Sequence, residues 1–241
     1  MGAVRAVARI LAIVAAVIAC VPLHYATLLL RGRSAWPRRF LWWVGRAAGF
    51  RAVSVGTPLP SHVLFLANHL SWLDIMILAG ATGTAFVSRD DVGRWPVIGW
   101  LAGLNHTVYV DRSDRRAVAS QADSVRAALA GGRPVALFPE GTTDGGTRIL
   151  PFRASLLASL FPPLPGVRVQ PVAVDYGAAG AEIAWTGSET AAQNLKKVLA
   201  RRGAAQVTLH FLEPMEPAEW ADRKALANAA RERIVAALDG R

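Results

Sequence analysis

Apolar residues fall into two patterns along this chain, one unbroken stretch near the start and short blocks spaced through the rest. The stretch is ILAIVAAVIACVPLHYATLLL, Ile10 to Leu30, 21 residues without Asp, Glu, Lys or Arg. A helix of that length, at ~1.5 Å per residue, is about 31 Å long and matches the hydrocarbon thickness of a bilayer. It suits a transmembrane helix, while Pro22 and His24 can kink or break it into a re-entrant or interfacial hairpin. A lipoprotein-type signal lipidated at Cys20 is a third reading, and it conflicts with the apolar run continuing past Cys20. Arg31, Arg33, Arg38 and Arg39 follow at once and outweigh Arg5 and Arg9. That bias predicts an inner (cytoplasmic) membrane location with the remainder facing the cytoplasm. Between Ala35 and Arg51, Trp36, Phe40, Trp42, Trp43 and Phe50 are interleaved with Arg38, Arg39, Arg46 and Arg51. The mixture fits the lipid headgroup layer and equally an amphipathic helix packed on a core.

After Arg51 the blocks shorten to strand length. The pattern predicts strands at Val63–Ala67, Thr84–Val87, Val108–Val110, Val135–Phe138, Val169–Val174, Glu182–Trp185 and Val207–Leu212. Helical spacing lies between them. One helix is capped by Ser113, aligns Val118, Ala122, Val125 and Leu129, and stops at Gly131-Gly132. A second runs from near Ser188 to Gly203 with Leu195, Val198 and Leu199 inward, and a third from about Pro217 with Leu226, Ala230, Ile234 and Leu238 in line. The alternation predicts a single α/β domain over 52–241, a mixed sheet flanked by helices, preceded by a membrane-associated helical segment over 1–51.

Composition narrows the function. With 53% hydrophobic residues and positive mean hydropathy, the chain is apolar for a soluble enzyme. Lys and Arg total 27 against 17 Asp and Glu, a charge of +10 that suits an anionic partner. A phospholipid surface, a nucleic acid and an acidic carrier protein all qualify. Nucleic acid is set aside because the aromatics form no RNA-binding strand signature and the N-terminus favours lipid. One Cys excludes an internal disulfide framework, and five scattered His without H-E-x-x-H predict no metal site. G-x-S-x-G and G-x-x-x-x-G-K-[ST] are also missing.

Three polar blocks sit at predicted strand ends, where ligand crevices of α/β folds open. In Ala67-Asn68-His69-Leu70-Ser71-Trp72-Leu73-Asp74, Ser71 and Asp74 have capping-box spacing, so a helix is expected to begin at Ser71. Two helical residues five apart would lie about 140° apart and never meet. With His69 in the turn and Asp74 in the first helical turn, carboxylate and imidazole can meet, the carboxylate fixing one ring nitrogen and leaving the other as a base. A capping Asp beside an unrelated His fits the same spacing. The second block, Phe138-Pro139-Glu140-Gly141-Thr142-Thr143, offers a carboxylate, glycine and hydroxyls for a polar headgroup, or is an ordinary turn. The third, Val108-Tyr109-Val110-Asp111-Arg112, delivers Arg112 to a strand end, for a phosphate or for a surface ion pair.

In this order and spacing the blocks resemble the glycerolipid acyltransferase family typified by 1-acyl-sn-glycerol-3-phosphate acyltransferase. Its N-H-x-x-x-x-D motif falls on Asn68, His69 and Asp74, its strand ending in Arg on Val108 to Arg112, and F-P-E-G-T on Phe138 to Thr142. Leu150-Pro151-Phe152-Arg153 resembles L-P-F-K, and Val169-Gln170-Pro171-Val172 resembles the V-x-P-V strand. The resemblance covers residues 60–215 and implies an α/β fold with a membrane-associated helical element. It implies His69 as general base and Asp74 as its partner, with Asn68, Arg112, Glu140, Gly141, Thr142 and Arg153 binding the acceptor and Pro171 near its pocket. The implied donor is acyl-CoA or acyl carrier protein, with no other cofactor. The implied acceptor is 1-acyl-sn-glycerol-3-phosphate, giving phosphatidic acid, or another lysolipid such as lyso-ornithine lipid. Three departures bear on the acceptor: His106 stands where the second motif often has Gly, Thr143 where phosphatidate-forming members often have Arg, and Arg153 replaces Lys. Two rivals remain, a lipid hydrolase or transacylase and a non-catalytic lipid-binding protein at the membrane surface.

Overall fold

The computed structural model describes residues 1–89, 96–105, 107–110, 115–143, 145–146 and 148–240. Its helices are α1 (Gly2–Arg31), α2 (Trp36–Ala47), α3 (Leu73–Thr82), α4 (Pro96–Leu104), α5 (Arg115–Ala130), α6 (Gly180–Ile183), α7 (Ala191–Ala200) and α8 (Arg223–Asp239). Its strands are β1 (Phe50–Val55), β2 (Val63–Ala67), β3 (Ala85–Arg89), β4 (Val108–Val110), β5 (Val135–Leu137), β6 (Arg168–Asp175) and β7 (Ala205–Phe211). Among the described residues these strands form one sheet in the order β1-β7-β6-β2-β5-β3-β4. β2 through β6 are mutually parallel, and the antiparallel β6–β7 pairing turns β7 and β1 the other way.

β2 is the centre of this arrangement, buried at all five positions between β6 and β5. Successive side chains of a strand point to opposite faces. Phe65 and Ala67 accordingly pack with Ile77 and Leu78 of α3 and Leu199 of α7. Leu64 and Leu66 pack with Leu129 of α5 and Leu226 and Ile234 of α8. A strand covered on both faces is a continuous apolar run, which is why VLFLA is so plain in the sequence.

The predicted strand at Glu182–Trp185 is instead the end of α6 and the bend after it. Ile183 and Ala184, neighbours in sequence, are both buried, so the alternation a half-buried strand needs is missing. Ala184 N–H donates to Gly180 O at 2.9 Å, and the Ile183 and Ala184 carbonyls accept from the Asn194 and Lys197 side chains of α7 rather than from a neighbouring strand. The strand β1 carries no alternating burial either and sits at the sheet edge beside β7. The second predicted helix starts later and stops earlier than expected, because Thr190 and Gln193 form a capping box ahead of Ala191. Leu195 on it is exposed, while Val198 and Leu199 point inward. The third begins at Arg223, where Asp222 accepts from Lys224 and Ala225 N–H at 2.8 Å each, and Pro217–Glu219 is a separate 3-10 turn.

α1 runs unbroken through Pro22 and is long and apolar enough to cross a membrane. Arg5 and Arg9 near its start donate to the carbonyls of Val198, Leu199, Ala200 and Gly203 at the end of α7. Farther along, His24 and Thr27 meet the Ser34 hydroxyl at 3.0 Å each, just before α2. α2 is anchored in turn by Arg38, which donates to the Gly80 and Ala81 carbonyls at the end of α3. Most of the remaining surface of α1 is exposed and apolar, including Leu11, Ile18, Leu29 and Leu30. In α2, Leu41 and Val44 face the core while Trp42 and Trp43 face outward, the packing expected of an amphipathic helix laid on a core.

Candidate active site

Three neighbouring parallel strands, β6, β2 and β5, end on the same side of the sheet. Their continuations carry Tyr176, His69 and Glu140 respectively, so residues far apart in sequence meet at one sheet edge.

The turn after β2 wraps around a carboxylate. Asp74, on the first turn of α3, is 0% exposed, and its Oδ2 accepts His69 Nδ1 at 2.9 Å, Leu70 N–H at 2.6 Å and Ser71 N–H at 2.9 Å. Three donors on one oxygen curl residues 69–71 back over the helix start, which is how side chains five positions apart come into contact. The capping box is half made. Asp74 accepts from Ser71 N–H, but Ser71 Oγ accepts from Leu73 N–H at 3.1 Å, and α3 begins at Leu73 rather than at Ser71. An ionised carboxylate only accepts, so Nδ1 carries a proton and Nε2 is the basic nitrogen. Among the described residues Nε2 has no hydrogen-bond partner, and the side chain is 18% exposed, so it is open to a substrate. The ring lies flat on Phe138, centroids 4.1 Å apart at 11°, and Phe138 stacks in turn on Phe86.

Glu140 is turned inward. It is 3% exposed, and its two oxygens accept from His69 N–H at 2.7 Å and from Leu150 N–H at 2.8 Å. The carboxylate thus links the backbone under the imidazole to the loop before Arg153. From the other side Arg231 of α8 donates to Ile149 O at 2.6 Å and Leu150 O at 3.0 Å. Burial pushes the Glu140 carboxyl above its usual range, opposed by the two backbone donors and by His69. A raised value in the folded state means that the folded protein binds this proton more tightly than the unfolded chain does. The group's contribution to stability is therefore greatest below its unfolded value and falls as pH rises through the folded one. Glu140→Gln removes that slope from thermal melts and replaces one of the two side-chain oxygens that accept a backbone N–H with a donor. The expected turnover loss is about 10- to 100-fold, measured beside melts at several pH values.

The remaining expected residues divide plainly. Asn68 is buried, and its amide donates to Val174 O at 3.1 Å and accepts from Val174 N–H at 2.7 Å, extending the β2–β6 pairing by one rung. Gly141 has φ +72°, a conformation that favours glycine, and a Cβ there would lie 3.2 Å from Cδ and Nε of Arg153, so a side chain would strain the turn and push Arg153 aside. Arg153 and Thr142 are both exposed. Pro171 is in the interior of β6, in register with Leu66 and away from the strand end. Arg112 and His106 lie outside the described residues.

Two partners of the site were not anticipated. Tyr176 donates its hydroxyl to Asp74 Oδ1 at 2.7 Å. Leu70, beside His69, closes on Gly146, where a Cβ would lie 2.7 Å from Leu70 Cδ1, while its carbonyl accepts from Trp185 N–H at 2.8 Å. The sequence signal for Tyr176 is its place just after an apolar strand, useful only once β6 is known to flank β2.

A base held by a buried carboxylate, beside an exposed arginine and without a nucleophilic serine elbow, suits direct transfer to a hydroxyl. Comparison with known proteins agrees. Residues 53–175 match the family described as Acyltransferase. A lyso-ornithine lipid O-acyltransferase of Brucella abortus is 34% identical over 261 aligned positions, covering 99% of this chain and 95% of that protein. A 1-acyl-sn-glycerol-3-phosphate acyltransferase of Neisseria meningitidis is 30% identical, covering 77% of this chain and 74% of that protein. The crystal structure of the 1-acyl-sn-glycerophosphate acyltransferase of Thermotoga maritima shares the fold, with a TM-score of 0.67 at 20% identity over 100% of this chain and 99% of that one. With His69, Asp74 and Glu140 gathered at one sheet edge and a family match over half the chain, this protein belongs to the acyltransferase family.

Proposed function

We propose that the chain moves a fatty acyl group from an acyl thioester, acyl-CoA or acyl carrier protein, to the free hydroxyl of a lysolipid, and that this lysolipid is lyso-ornithine lipid. The observation that carries the reaction class is the His69–Asp74 pair, with Nδ1 fixed on a buried carboxylate and Nε2 open. As the acceptor oxygen attacks the thioester carbonyl carbon, Nε2 takes its proton. The carbon–sulfur bond of the tetrahedral intermediate then breaks, and the imidazolium returns the proton to the departing thiolate. Glu140 positions the base through the backbone, and Arg153 faces the headgroup.

Charge favours that acceptor. A phosphomonoester carries about −1.5 to −2 at neutral pH, whereas ornithine offers one carboxylate and an amine. Thr143 contributes no charge where phosphatidate-forming relatives of the resembled family often have Arg, leaving Arg153 to meet the weaker anion. The Brucella relative, aligned over nearly the whole chain, bears the name that fits. Lysophosphatidate is the second reading, supported by the Neisseria relative. Thr143→Arg is expected to raise the rate with lysophosphatidate relative to lyso-ornithine lipid about tenfold, read by mass spectrometry of products from a mixed acceptor pool. An unchanged ratio counts against the headgroup reading.

The membrane supplies the lysolipid acceptor. α1 is tied to the α/β body near its start through Arg5 and Arg9 and farther along through Ser34 and α2. This arrangement suits a helix resting in one leaflet of the inner membrane beside a cytoplasmic body, its apolar face toward acyl chains.

A further inference from the structure

The Asp74 carboxylate has two oxygens with different duties. Oδ2 gathers His69 and two backbone N–H groups, all from residues 69–71. Among the described residues Oδ1 receives a single donor, the Tyr176 hydroxyl, from the residue that follows β6. Tyr176 is 4% exposed, and its ring stands edge-on to Phe50, centroids 5.4 Å apart at 88°. Such a phenol cannot turn to water without breaking its packing, so its proton is aimed at Oδ1. Burial and the neighbouring carboxylate both keep the phenol protonated far above its usual range, so it remains a donor at every working pH.

Donation to Oδ1 does two things. It fixes rotation of the carboxylate, so that Oδ2 stays in the plane of the His69 N–H. It also draws negative charge toward Oδ1, which moderates the pull of Oδ2 on the imidazole proton. A base that must take a proton and then return it to a thiolate benefits from that restraint. The charged and titratable groups facing Asp74 among the described residues are His69 from its own turn, Tyr176 from the end of β6 and Glu140 from the loop after β5. From α2, which packs on α3, Arg46 lies over Trp42, and Arg38 is held at the far end of α3 by Gly80 and Ala81.

We propose that Tyr176 is a positioning residue for acyl transfer, its hydroxyl holding the Asp74 carboxylate in the orientation that aims and tunes His69. The assignment rests on the acyltransfer reading above, with His69 as base.

The test is Tyr176→Phe in the full-length, membrane-bound protein, since phenylalanine keeps the ring on Phe50 and removes only the donor. With an acyl thioester and lyso-ornithine lipid, kcat is expected to fall about 10- to 100-fold, with KM for both substrates nearly unchanged and the melting temperature lowered by a few degrees, because Oδ1 loses its buried donor. The acid limb of kcat/KM is expected to move to higher pH, because an unshared carboxylate holds the imidazolium more tightly. The His69 ring titration, followed by 1H–15N NMR in detergent, is expected to move the same way without any substrate. A titration that moves while wild-type protein transfers no acyl group retains the Tyr176 coupling and defeats the acyltransfer reading. An unmoved titration with kcat within twofold of wild type overturns the Tyr176 assignment, as does a loss confined to KM or to the melting temperature.

Discussion

His69→Ala leaves a folded protein whose acyl transfer is about 10²- to 10⁴-fold slower, the usual contribution of a positioned general base. The imidazole is partly exposed and packs chiefly on Phe138, so its loss opens no sealed cavity. The Asp74 carboxylate keeps three of its four donors, from Leu70, Ser71 and Tyr176. Stability is therefore expected to change by about 1 kcal/mol, the centre of the range for single substitutions. A melting curve beside a product assay separates the two effects. A slow residual rate remains from substrate binding and orientation. The non-catalytic lipid-binding reading predicts instead that cells carrying His69→Ala keep full function.

Asp74→Asn is expected to lower turnover to a similar extent by a different route. An asparagine can keep its amide oxygen toward His69, Leu70 and Ser71 while its NH₂ faces Tyr176, whose hydroxyl turns to accept. The hydrogen-bond pattern then survives without the negative charge that stabilises the imidazolium. A loss on the order of 10²- to 10⁴-fold follows, as for the orienting carboxylate of hydrolytic triads. Asp74→Ala behaves differently, leaving four donors around an empty carboxylate position, two of them, Ser71 N–H and the Tyr176 hydroxyl, buried. Each unsatisfied group costs about 1–3 kcal/mol, so this variant is expected to unfold at much lower temperature or fail to accumulate. A stable, inactive Asp74→Asn beside an unstable Asp74→Ala is the signature to look for. Full activity in Asp74→Asn would mean that the charge has no part in the reaction.

How far the sequence carried this picture depends on range. The buried run Val63–Ala67, the motif around His69 and Asp74 and the loop at Glu140 are local patterns, and each was legible where it stands. Strand order is not local. Nothing in the linear text says that β6 and β5 flank β2, and that adjacency alone brings Tyr176 and Glu140 to His69. The resemblance places Glu140 at the headgroup, and its polar block by itself fits a headgroup site or an ordinary turn. Here two backbone N–H groups are its partners, and they allow it to be buried. Asn68 escaped in the same way, its amide substituting for a backbone unit against Val174. The strand reading of Glu182–Trp185 failed because a short apolar block looks alike in a strand and in a buried helical turn. The exposed apolar side of α1 was plain from composition, but its docking through Arg5 and Arg9 onto α7 carbonyls was not.

The central claim is that His69 activates the acceptor hydroxyl for direct attack on the thioester, with no acyl group parked on the protein. Rapid-quench measurement of free thiol, with and without lysolipid, together with the intact mass of the chain, tests it most directly. The account predicts that thiol and new lipid ester appear together, only when donor and lysolipid are both present, and that the chain keeps its unmodified mass. A burst of thiol without lysolipid, accompanied by one acyl group bound to the chain, would contradict it.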